Sequence, residues 1–159
     1  MKKSILLAAV LFSGAAAMPA FASNVLSEKN LSLEFAEKLA QSAIQACSAK
    51  NYNVAVTVVD RAGVVKAVQR MDNAGPHTVE ASQMKAYTAL STKNPSGKVM
   101  EAAQNNAGAQ NMRDIPGFLL LAGGVPVKSG DQVIGAIGIG GAPGGNLDEA
   151  CAMDALKAL

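Results

Sequence analysis

Apolar side chains recur every three to four residues along 33–50, where Leu33, Ala36, Ala40, Ala43, Ile44 and Cys47 form one stripe. That period predicts an amphipathic helix, with Ser32 as its N-cap and Glu34 in its first turn. The period then shortens. Residues 54–60 and 64–70 are rich in valine and flank Arg61-Ala62-Gly63, which predicts a β-hairpin. A helix over 79–90 follows, with Thr78 at its start. Asn94-Pro95-Ser96-Gly97 interrupts it, and a shorter helix runs to about 106. The apolar run 118–122 predicts a further strand. Residues 125–129 and 132–139 predict a second hairpin around Gly130-Asp131. Gly140 to Gly145 break the sheet, and Asn146, Asp148 and Glu149 open a last helix carrying the stripe Leu147, Ala150, Cys151, Ala155 and Ala158. The predicted order is α-ββ-αα-βββ-α. Hairpin connections dominate it, so the expected class is α+β, an antiparallel sheet with helices packed on it.

The first 22 residues have a different character. Lys2 and Lys3 precede an apolar run over 5–12, and Ala20-Phe21-Ala22 is a small-x-small site. This is the pattern of a secretory signal peptide cleaved after Ala22, with a retained anchor as the alternative. It leaves a single domain over 23–159 without a membrane span, and a periplasmic location is expected. Of 14 basic and 12 acidic residues, the leader takes two lysines and no acid. The mature chain is then neutral, which argues against a nucleic-acid surface. Aromatic content is 4% and there is no Trp, so the core must be aliphatic. Cys47 and Cys151 lie on core-facing stripes in a compartment that permits oxidation. A disulfide and two buried thiols remain alternatives.

Glycine is dense in 123–145. Glycine within a strand weakens it unless something approaches the backbone closely. The segment lacks the Lys-Ser/Thr of a phosphate-binding loop and does not fit GxGxxG in a βαβ unit. Tight packing of the strand glycines, a sharp strand-to-helix connection and, for 135–145, a flat apolar wall for a planar ligand or a subunit contact are the readings it leaves. One His and two Cys on apolar stripes do not suit a zinc site, and no serine sits in a nucleophile elbow.

Several segments together are more specific than any one of them. Arg70-Met71-Asp72-Asn73-Ala74-Gly75, Lys85-Ala86-Tyr87-Thr88-Ala89, Gly123-Gly124-Val125-Pro126-Val127, Val133-Ile134-Gly135-Ala136-Ile137-Gly138 and Asp148-Glu149-Ala150-Cys151-Ala152 occur in this order. In this the chain resembles the GlcG/HbpS family, whose described members include haem-binding proteins. The resemblance implies a profilin-like fold with a five-stranded sheet, a homo-oligomer, and haem as the small-molecule ligand. It leaves open a carrier, buffer or sensor component, an enzyme that degrades haem or acts on a small organic acid, and an accessory oligomer without a cofactor. His77, the only histidine, would read by itself as a solvent-facing loop residue. With the resemblance it becomes the candidate axial ligand, imidazole being a common haem ligand. Met71, Lys85 and Tyr87 are candidate second or substitute ligands, although Lys85 on a helix reads first as a solvated lysine. Arg70 and Arg113 are candidates to face the propionates.

Overall fold

The computed structural model describes residues 24–159; the expected signal peptide lies outside them. The elements are α1 (Leu33–Ser48), β1 (Ala55–Asp60), β2 (Val65–Arg70), α2 (Thr78–Thr92), α3 (Ser96–Asn105), a 3-10 helix (Ala107–Asp114), β3 (Gly124–Ser129), β4 (Gln132–Gly140) and α4 (Gly145–Lys157). The strands form one antiparallel sheet in the order β2-β1-β4-β3. No helix among the described residues is long and apolar enough to cross a membrane.

Alternation along the two central strands sorts the layers. Val56 and Val58 of β1 and Ile137 and Ile139 of β4 point to one face, where they pack with Leu39, Ala40, Ala43 and Cys47 of α1 and Cys151, Ala152 and Ala155 of α4. Val59 and Ala136 point to the other face and meet Ala86 and Ala89 of α2. β1 is therefore buried along its whole length. Ser32 caps α1 as its sequence suggests, accepting a hydrogen bond from Phe35 N at 3.1 Å. Cys47 and Cys151 are joined by a disulfide between α1 and α4, with Cα atoms 5.4 Å apart. Of the two alternatives for these cysteines, the bond is the one realised.

The glycines of the second hairpin are explained by α2. A Cβ at Gly138 would overlap the carbonyl oxygen of Ser82, and a Cβ at Gly124 that of Lys85. Bare backbone at these two positions lets α2 lie directly on the sheet. Residues 135–140 are buried within the chain. Within the stretch expected to face a planar ligand or another subunit, 135–140 are thus covered by the protein itself, by α2 on one face and by Leu31, α1 and α4 on the other.

The sheet has four strands where five were expected. Residues 118–122 are irregular, although their side chains have strand-like apolarity. Their backbone groups bond to side chains and to nearby turn carbonyls instead of a neighbouring strand, with Phe118 N donating to Ile115 O and Leu121 N to Leu119 O. Leu119 N donates to Thr88 Oγ1 at 2.9 Å, and Leu121 O accepts from Ser96 Oγ at 2.7 Å. The same Ser96 hydroxyl accepts from Gly124 N at 2.8 Å, tying the segment to the start of β3. Paired in this way, the segment has no call for a ladder.

Candidate functional site

The inward face of α2 is used for structure. Thr57 Oγ1 and Ser82 Oγ share a buried hydrogen bond of 2.7 Å. Lys85, one turn on, is 1% exposed, and the solvated lysine expected from sequence is corrected here. Its Nζ donates to Asp148 Oδ2 at 2.8 Å and to Ile139 O at 2.9 Å. Asp148 Oδ1 accepts from Ala142 N at 2.9 Å. Burial raises the Asp148 carboxyl above its ordinary value, with the Lys85 ammonium pulling the other way. One ion pair thus pins α2, the end of β4, the bend after it and α4 together.

The outward face of α2 is different in kind. His77, Glu80, Met84 and Tyr87 follow one another at steps of three, four and three, so they share one side of the helix. His77 stands at the N-cap position, is exposed, and makes no side-chain hydrogen bond among the described residues. Its ring lies over Gly75, where a Cβ would come within 3.0 Å of it. Beside the same face is a cavity of about 560 Å³ lined by Glu80, Gln83, Met84 and Tyr87, with Gly63, Pro116 and Gly117 opposite. Tyr87 is 38% exposed. Its ring stands edge-on to Phe118 at 6.1 Å and divides this cavity from a second one, of about 410 Å³, that Arg61, Ser91 and Lys93 help to line.

The remaining candidates are distributed elsewhere. Arg70 is exposed and its guanidinium donates to Ala74 O, which braces the 72–77 loop leading to His77. Met71 is half-buried against the main core, and its Sδ accepts from Val54 N at 3.4 Å. Lys85 is committed to Asp148. Arg113 donates from Nε to Gln110 O at 2.8 Å and borders a separate cavity with Met100 and Phe118. The structure therefore gathers His77, with Arg70 behind its loop, and Tyr87 along one face, and does not bring Met71, Lys85 or Arg113 to it. His77 and Tyr87 are ten residues apart on a helix, about 15 Å along its axis. They cannot both ligate one iron. Glu80 and Met84 went unnoticed in the sequence, although their spacing from His77 was the signal that would have found them.

An aromatic ring, a thioether and a proline beside an exposed imidazole fit the apolar body and iron of a haem. The Glu80 carboxylate in the same lining does not suit a propionate, which places the anionic edge of such a ligand away from it.

The family model described as "Haem degrading protein HbpS-like" matches residues 31–157. Protein GlcG of Escherichia coli K12 is 33% identical over 109 residues, 69% of this chain and 80% of that protein. A crystal structure of a double mutant of Streptomyces reticuli HbpS superposes with a TM-score of 0.83 at 36% identity, covering 92% of this chain and 98% of that one. The crystal structure of a PduOC:heme complex superposes at 0.76 with 23% identity, covering 82% of this chain and 95% of that one, a likeness of fold.

Proposed function

The chain belongs to the HbpS-like family, and from that premise we propose that it is a periplasmic haem-binding protein, a carrier, buffer or sensor component. The observation that supports this most is His77, an exposed imidazole without a hydrogen-bond partner among the described residues, on the same face of α2 as Glu80, Met84 and Tyr87, which line the cavity beside that helix. His77 would supply the axial nitrogen. Met84 and Tyr87 would cover one face of the ring, and Arg70, at the base of the His77 loop, would meet a propionate. A bound haem would supply redox and oxygen chemistry. The protein's part is to hold the imidazole in place through Gly75, Pro76 and the Arg70 brace, and to keep water from the covered face.

Titration with haem in imidazole-free buffer tests this. His77→Ala should weaken binding by about tenfold or more, a loss of at least one ligand bond, and shift the Soret band, with unchanged circular dichroism. An identical spectrum and affinity would place the ligand elsewhere, with Tyr87→Phe the next variant to measure. The description of the family as haem degrading favours one second reading, an oxidative enzyme. Loss of the Soret band after addition of a reductant in air, without release of free haem, would select it over the carrier.

We propose further that residues 1–22 are removed on export and that the mature chain assembles with itself. Val64, Val65 and Val68, exposed at the edge strand β2, support self-association. Native mass spectrometry of the periplasmic fraction reads both features at once. Subunits beginning at Ser23 in a complex of two or more are expected. A full-length monomer would overturn both expectations.

A further inference from the structure

The other open edge of the sheet is β3, and a groove of about 600 Å³ runs beside it. Its floor is apolar. Phe35 comes from the first turn of α1, Val125 and Val127 from β3, and Met153 and Leu156 from α4. Its border is basic: Lys93 at the C-cap of α2, Lys98 on α3 and Lys128 near the end of β3. All three lysines are exposed, and none is ion-paired among the described residues. No Asp or Glu side chain lines the groove. A mature chain expected to be neutral thus collects three lysines without an ion-pair partner among the described residues around one apolar trough, whose lining also includes the carboxyl-terminal Leu159.

An open sheet edge normally invites another strand. Here the third residue of β3 is Pro126, which has no N–H to donate, and Lys128 follows two positions later. Both features oppose pairing with a second chain. The volume lies within the range of small-molecule sites, and the charge selects the sign of the ligand. We propose that this groove binds an amphiphilic carboxylate, with its alkyl chain along Phe35, Met153 and Leu156 and its carboxylate among Lys93, Lys98 and Lys128. The groove shares no lining residue with the cavity along α2, so the inference stands apart from the haem reading.

Isothermal titration of the mature chain with laurate, below its micellar concentration, is the test. Saturable binding at one site per chain is expected, with dodecyl maltoside, which has an alkyl chain of nearly the same length and no charge, binding far more weakly. Lys98→Gln/Lys128→Gln should weaken laurate binding by about tenfold or more through lost charge-assisted contacts, and should leave haem titration unchanged. The substitutions are exposed, so folding is not at stake. Absence of laurate binding, equal binding of the neutral detergent, or undiminished binding by the double variant would each overturn the proposal. So would a dimer, seen by light scattering, that occupies this edge and is lost in the same variant.

Discussion

Replacing both Cys47 and Cys151 by alanine is expected to lower the stability of the mature chain by about 4–5 kcal/mol. The two residues are 104 apart in sequence, and closing a loop of roughly that length removes about this much chain entropy from the unfolded state. For a domain of this size that is a fall of roughly 10–20 °C in Tm. Thermal melts of the double variant against the oxidised parent measure it. A shift of less than about 2 °C would mean that the alanine-rich packing of α1 on α4 is sufficient without the bond. The double variant is a better probe than reductant, because both sulfur-bearing side chains are fully buried.

Asp148→Ala is expected to cost about 3–5 kcal/mol, because it removes the carboxyl that accepts from the buried Lys85 ammonium and leaves that charge with neither hydrogen-bond partner nor counterion on α4. Ala142 N loses its acceptor in the same variant. The companion variant Lys85→Met/Asp148→Leu, which removes both charges, should recover a large part of the loss. Urea midpoints of the three proteins decide this, and a double variant no better than Asp148→Ala would show that the pair's hydrogen bonds matter more than its charge balance. The pH dependence has a definite sign. Burial raises the folded-state value of Asp148 above its ordinary 3.8. The folded protein then holds that proton more tightly than the unfolded chain. Its contribution to stability is complete below the unfolded value and is lost as pH rises through the raised folded one. Relative to Asp148→Asn, the parent should therefore gain stability as pH falls from 7 towards 4. A relative loss over that range would show that attraction to Lys85 outweighs desolvation.

These two contacts also mark what periodicity can and cannot reveal. The stripes of α1 and α4 placed both cysteines in the core, but burial accounts for a cysteine with or without a bond, so the disulfide itself was not legible. Lys85 reads as an ordinary helical lysine because its partner lies 63 residues away, beyond any local pattern. The two hairpins and the helices that carry Cys47, Lys85 and Cys151 follow directly from turn residues and from the change of period. Residues 118–122 misled for the opposite reason. Their side chains have the composition of a strand, while the partners that decide their conformation, Thr88 and Ser96, are hydroxyls on two separate helices. On the candidate site, His77 and Tyr87 were legible as residue types. The cavity along Glu80, Met84 and Tyr87 needed the loop at Pro116-Gly117 to fold back over α2, which no spacing within α2 encodes.

The disulfide has a topological consequence beyond its effect on stability. Val56 of β1 pairs with Ile139 of β4 at the centre of the sheet, although 83 residues separate them along the backbone. Through the sulfurs the route is far shorter: nine residues from Val56 back to Cys47, and twelve from Cys151 back to Ile139. The oxidised molecule is thus a covalent ring that contains all four strands, and its most distant strand pairing in sequence becomes a nearly local one. A single backbone cut anywhere in that ring, at the exposed Gly130-Asp131 turn for example, leaves one connected molecule with its central strands still tethered.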